Sequence, residues 1–234
     1  MPRRRALLAV AVTAVLLGAG VAWVLYGSGW LRAERVTVHG TRALNPDVVR
    51  RAAAVPLGSP LASVDTGAVA ARLRARLPRI AEVDVTRSWP HTISVTVRER
   101  HAQAVLRQAG RYVEVDADGV RFGTLTSRPR GVPLLEVEPD GSAAARRFGA
   151  DRLRREAVRC VTQLPPAVRA DTRSVRVRSY DSITVELTAG RTVVWGSAER
   201  GAAKARTLTA LMKAEPDADH FDVSAPSAPA ASGG

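Results

Sequence analysis

From Ala6 to Tyr26 the chain runs through 21 residues without a charged side chain, ALLAVAVTAVLLGAGVAWVLY. A helix of that length, rising about 1.5 Å per residue, spans roughly 31 Å, close to the hydrocarbon thickness of a bilayer. Arg3, Arg4 and Arg5 precede it, which fits a cytoplasmic amino terminus, and Trp23, Tyr26 and Trp30 stand at its far end, where amphipathic rings favour the headgroup region. A cleaved signal peptide is the competing reading. The run is longer than a usual signal core, however, and no A-x-A-like site separates it from the next folded segment. An uncleaved single-pass anchor in the lipid bilayer is therefore expected, marked by Ala6, Leu16, Trp23 and Tyr26.

Beyond the anchor the chain is long enough for one large domain or two small ones, and 46% hydrophobic with 24% charged residues is ordinary globular composition. The net charge of +13 invites a nucleic-acid reading. Nucleic-acid modules cluster basic residues among stacking aromatics. Here the arginines are scattered, only 4% of residues are aromatic, and no nucleic-acid partner is expected. A basic domain facing anionic lipid or wall polymer is the better match. Cys160 is the only cysteine, which excludes an intramolecular disulfide and a cysteine-based zinc site.

Periodicity predicts the elements. Val36 and Val38 alternate with polar neighbours in a strand that ends at Gly40. Asn45-Pro46-Asp47 supplies an N-cap, a proline at N1 and an acid in the first turn of a helix. A second helix starts near Asp65, carries Val69, Leu73 and Leu77 on one face, and ends at Pro78. Ile80, Val83 and Val85, a turn at Ser88 to His91, then Ile93, Val95 and Val97 give two further strands. Strand-helix-helix-strand-strand order implies an α+β layer with the helices on one face of a small sheet. Trp89, ahead of Pro90, is expected to be a packed turn residue.

The remainder reads as rich in strands. Asp118-Gly119 between apolar alternations is a hairpin signal. Val132 to Leu135 reads as a short edge strand. Leu153, Ala157, Val161 and Leu164 mark a helix ending at Pro165-Pro166, and Ala205, Leu208 and Leu211 mark another. Strands are expected around 175–177, 183–187 and 193–195, with a last one at Phe221-Asp222-Val223. Residues 224–234 hold only Ser, Ala, Pro and Gly, a composition expected to stay disordered.

Chemistry-bearing motifs are missing. There is no G-x-S-x-G elbow, P-loop, dinucleotide fingerprint or H-E-x-x-H. His39, His91, His101 and His220 are isolated, and Cys160 sits in a periodic helix as a small core residue. The sequence points to no catalytic residue, no metal, no cofactor and no small-molecule substrate.

The arrangement resembles the FtsQ/DivIB family of bacterial cell-division proteins. The resemblance is carried by WLRAERVTVHG at 30–40, GSPLASVD at 58–65 and PRIAEVDVTRSWPHTISVTVRER at 78–100, which look like a POTRA domain. VEVDADGVRF at 113–122, VVWG at 193–196, Lys204 in AAKARTL and FDVSAP at 221–226 look like the family's second, β-rich domain. The implied fold class is α+β: one transmembrane helix, a POTRA-like β-α-α-β-β module, and a β-rich domain with two or so helices. The expected division is 1–5 cytoplasmic tail, 6–26 transmembrane helix, 27–33 linker, 34–100 POTRA-like domain, 101–223 β-rich partner-binding domain and 224–234 disordered tail.

The resemblance further implies a non-enzymatic divisome scaffold, concentrated at the division septum, with its carboxy terminus outside the cytoplasm. Its implied partners are the small bitopic coiled-coil proteins FtsB (or DivIC) and FtsL, and through them the septal peptidoglycan synthase complex. In the family the partner docks near the carboxy-terminal edge strand. The matching positions are Phe221, Asp222, Val223, Ser224 and Ala225, with Trp195 and Gly196 nearby. Pairing would use the unpaired backbone groups of a sheet edge. On this reading truncation after His220 should leave the domain folded, and Val223→Pro should remove one donor from the edge. The alternative is a POTRA-type component of a translocation or secretion system, although only one such module and no barrel-length strand array are present.

Overall fold

The charge-free amino-terminal run folds as α1 (Pro2–Ala22) and continues as a wider π-helical turn, Trp23–Gly27. In this computed structural model residues 2–27, 29–138 and 143–233 are described. Met1 of the expected tail, Ser28 of the linker, residues 139–142 of the β-rich domain and Gly234 lie outside the described residues. The span Val10–Gly27 has a mean hydropathy of 2.0 and no part of it is buried in protein. Leu16, Trp23 and Tyr26 are all more than half exposed. By length and hydropathy this helix is a candidate membrane span.

The chain divides into two units after Arg100. In the first, β1 (Arg35–His39) leads to α2 (Pro46–Ala53) and α3 (Thr66–Arg76), followed by β2 (Ile80–Ser88) and β3 (Thr92–Glu99). Both helix starts are written in the sequence. Asn45 Oδ1 accepts from Asp47 N at 2.8 Å, and Asp65 Oδ1 from Ala68 N at 2.9 Å. The sheet order is β1-β3-β2, with β1 parallel and β2 antiparallel to β3. Val49 and Ala53 of α2, and Val69 and Leu73 of α3, share a core with Val36, Ile93, Val95 and Val97. Trp89 departs from its expected packing: the tight turn between β2 and β3 holds it outward, 49% exposed.

The second unit is built on nine strands in the order β12-β11-β10-β9-β8-β7-β4-β5-β6. They are β4 (Ala104–Gln108), β5 (Arg111–Val115), β6 (Arg121–Leu125), β7 (Leu134–Val137), β8 (Thr172–Ser179), β9 (Ser182–Leu187), β10 (Thr192–Gly196), β11 (His220–Asp222) and β12 (Ala230–Ser232). Three helices complete it: α4 (Ala143–Gln163), α5 (Pro166–Asp171) and α6 (Gly201–Ala214). Leu153, Ala157 and Val161 of α4 and Leu208 of α6 join Val175, Val185, Val193, Trp195 and Phe221 in one core. The β5–β6 hairpin forms at the Asp-Gly signal, with Asp116 Oδ1 accepting from Asp118 N and Val120 N at 3.0 and 2.8 Å.

The structure corrects two further expectations. The strand near Val132–Leu135 is not an edge: β7 lies between β4 and β8 and runs parallel to both. The helix expected to end at Pro165-Pro166 does so: α4 stops at Gln163, and Pro166 takes the first position of the separate α5, where a missing N–H costs nothing. The tail expected to be disordered folds back instead, and Ala230–Ser232 pair antiparallel with β11 as β12. Backbone pairing and the partly buried Ala231 hold it there, which side-chain composition does not reveal.

Candidate functional site

A parallel strand pair cannot be closed by a tight turn and needs a crossover. Between β10 and β11 that crossover is α6, and one side chain fastens it. Lys204 Nζ donates to Trp195 O at 2.7 Å and to Ser197 O at 2.8 Å, and the residue is 1% exposed. The two carbonyls lie on either side of Gly196, where the β9–β10 register shifts and the strand ends. Burial away from water lowers the pKa of Lys204, since desolvation disfavours the ammonium. Burial raises that of the neighbouring Cys160, so the thiol stays protonated and unreactive.

Gly196 has φ +74°, a conformation that side chains other than glycine rarely adopt, and a Cβ there would lie 2.9 Å from Ser224 Cβ. Its bareness lets the end of β10 sit against the residue that follows β11. Asp222 Oδ1 accepts from Ser224 N at 2.8 Å and turns the chain after the strand, and Ala228 N donates to Ala225 O at 2.9 Å. Pro226 and Pro229 fall in this turn, and the chain then enters β12.

The structure thus brings Trp195, Gly196, Phe221, Asp222, Val223, Ser224 and Ala225 together at the carboxy-terminal end of one sheet, but at different depths. Trp195, Phe221 and Val223 are fully buried, Asp222 and Ser224 half-buried, and Ala225 exposed. Truncation after His220 would therefore remove two core side chains and unfold the unit, contrary to expectation. Val223 N donates inward to Val194 O at 3.0 Å, so Val223→Pro would damage the sheet interior and leave the edge's donors untouched. The outward amides are those of His220 and Asp222, and β12 covers them. Of the anchor residues, Ala6 lies in α1, and Leu16, Trp23 and Tyr26 are exposed along and just beyond it.

Sequence reasoning missed Glu99, which is 7% exposed and binds the loop after β1: its carboxylate accepts from Arg42 N at 2.7 Å, Ala43 N at 3.1 Å and Leu44 N at 2.9 Å. Desolvation pushes its pKa upward, but bonds from the amides of Leu44, Arg42 and Ala43, together with the charge of Arg79, outweigh that and lower it. Strand parity could have found it, since Glu99 continues the buried positions Ile93, Val95 and Val97 of β3. No group of His, Cys, Asp and Glu side chains able to hold a metal occurs among the described residues.

Comparison with known proteins gives two family matches. Residues 31–100 match the POTRA domain, FtsQ-type, and residues 104–224 match the model Cell division protein FtsQ/DivIB, C-terminal. The chain is 65% identical over 230 residues to Cell division protein FtsQ of Streptomyces bingchenggensis, covering 98% of this chain and 87% of the relative. It is 59% identical over 236 residues to the protein of that name from Streptomyces coelicolor, covering 99% and 89%. With the Mycolicibacterium smegmatis protein of the same name it shares 36% over 220 residues, covering 94% and 62%. A solved extracytoplasmic domain of the division protein DivIB from Geobacillus stearothermophilus overlays 50% of the chain and 93% of that domain, at 17% identity and a TM-score of 0.36, and no residue is assigned from it.

Proposed function

Because the chain belongs to the FtsQ/DivIB family of cell-division proteins, we propose that it is a non-catalytic divisome scaffold whose second unit docks bitopic partners at the carboxy-terminal edge of its sheet. α1 anchors it in the cell membrane as a single pass, with the amino terminus cytoplasmic and residues 34–100 and 101–223 outside. It gathers at the division septum. Its partners there are FtsB/DivIC-like and FtsL-like coiled-coil proteins, and through them it helps control the septal peptidoglycan synthase complex.

The observation that carries the docking assignment is the construction of the edge. The end of β10 is fixed from behind by the buried Lys204 and β11 pairs with β10, while the only strand beyond β11 among the described residues is three residues long. A rigid sheet ending in a minimal edge presents backbone donors and acceptors to an incoming strand. Asp222, Ser224 and Ala225 lie where such a strand arrives. Trp195, Gly196, Phe221 and Val223 shape the edge from inside.

The cellular position of a fluorescent fusion at the amino terminus tests the role. Bands at nascent septa are expected. A uniform membrane signal from a fusion that complements a deletion would remove the division assignment and leave the translocation or secretion reading.

A further inference from the structure

One register row crosses the large sheet through Leu106, Leu135, Val175, Val185, Val193 and Phe221, each directly opposite the next. The next place in the row, on β12, holds Ala231. Every earlier position carries a branched or aromatic side chain, and the row ends on a methyl group that is only partly buried against the core. Cross-strand pairing of β-branched and aromatic residues is what stabilises such rows, and alanine is a poor strand former.

We propose that β12 is a placeholder on a cryptic strand-binding site, and that an extended partner segment displaces it and pairs with β11 directly. The fitting segment carries a β-branched or aromatic residue where Ala231 now stands, polar residues on either side of it, and more than three residues of strand. This proposal rests on the reading of the carboxy-terminal edge as the docking site.

The hold of β12 is short: its pairing with β11, a bond from Asp219 N to Ser232 O at 3.1 Å, and the partly buried Ala231. It is the three residues Ala230–Ser232, with both ends exposed. Toward its amino end it starts directly after the turn in which Ser224 N donates to Asp222 Oδ1 and Ala228 N to Ala225 O. Beneath it the site is already built. Val223 N donates to Val194 O and Thr192 N to Asp219 O, so alternation turns the amides of Phe221 inward and those of His220 and Asp222 outward. An exchanging strand would meet a formed template and would bury more apolar surface over Phe221 than Ala231 does. The tether of β12 makes it a competitor at high effective concentration, so removing it should expose the site.

The experiment uses the full chain in lipid nanodiscs beside the chain stopped after Ser227. The probes are two dye-labelled heptapeptides, one copying residues 227–233 and one with isoleucine at the position of Ala231, read by fluorescence anisotropy. The stopped chain is expected to bind the isoleucine peptide at least tenfold more tightly than the full chain does, and at least threefold more tightly than it binds the copy. Equal affinity in the full and stopped chains would overturn the exchange. If stopping the chain unfolds the unit, Ala231→Ile in the full chain decides: it tightens the tethered strand and should weaken peptide binding at least threefold, whereas unchanged or tighter binding overturns the proposal. The bitopic partner is measured on the same samples. Its tighter binding to the stopped chain supports both the exchange and the site. Its loss from a stopped chain that has gained peptide binding sinks the docking assignment and leaves the cryptic strand site standing.

Discussion

Lys204 holds the carbonyl of Trp195 at 2.7 Å from inside the protein, across the crossover from β10 to α6. With Ser197 O as second acceptor, the ammonium satisfies two backbone groups on either side of Gly196. Lys204→Met keeps an unbranched side chain one atom shorter and removes the ammonium that donates to both carbonyls. The expected loss is about 1–3 kcal/mol, the cost of leaving a buried acceptor unpaired, read as a lower urea midpoint at constant slope. An unchanged midpoint would show that water replaces the lysine.

Gly196→Ala should cost about 2 kcal/mol, because a left-handed backbone opposes a Cβ and the added carbon meets Ser224. Partner affinity should fall as well, since the end of β10 and the turn after β11 must separate. Gly190 has a similar φ of +81° with open space around its Cβ position. Gly190→Ala therefore serves as the control, with the backbone cost alone and no effect on the partner.

Glu99 makes the first unit sensitive to acid. Its folded pKa lies below the unfolded value, so its contribution is fully present above the ordinary carboxylate range and is lost as the pH falls through the lowered folded pKa. Stability of the first unit should decline on acidification below about pH 4.5. Glu99→Gln should cost about 2 kcal/mol at neutral pH and flatten that part of the profile, measured by thermal unfolding across pH. A variant that retains the wild-type acid limb would assign it to other carboxylates.

Asp116→Ala removes the acceptor of two amides in the β5–β6 turn, Asp118 N and Val120 N. A loss of about 1–2 kcal/mol is expected, confined to the second unit, with partner binding unchanged because the hairpin lies at the opposite end of the sheet order from β11. A drop in partner affinity without unfolding would move the docking surface toward β6.

Local signals carried much of this fold. Asn45 and Asp65 cap the helices they announce, the Asp-Gly pair makes its hairpin, and the alternation of Ile93, Val95 and Val97 becomes a strand of the first core. Non-local pairing was less legible. Nothing in Leu134 and Leu135 says that β7 sits in the interior between two parallel neighbours, because parallel partners are chosen across long crossovers. Ala230–Ser232 carries no strand pattern, and its pairing answers the outward amides of β11. The same gap hid the shape of the candidate site. Alternation placed a strand at Phe221 to Val223, where β11 forms, but which of its amides faced outward depended on the partner strand. Glu99 reads as a solvated charge until strand parity is followed to the end of β3.

Docking of partners at the carboxy-terminal edge of the sheet is tested most directly by site-specific photocrosslinking in dividing cells. A photoreactive phenylalanine is placed at Asp222 or Ala225 near that edge, or at Thr124 on β6, the strand at the other end of the sheet order. Crosslinks to the FtsB/DivIC-like protein are expected from positions 222 and 225 and none from 124. Crosslinks from 124, with none from 222 or 225 in a chain that still supports division, would contradict docking at that edge.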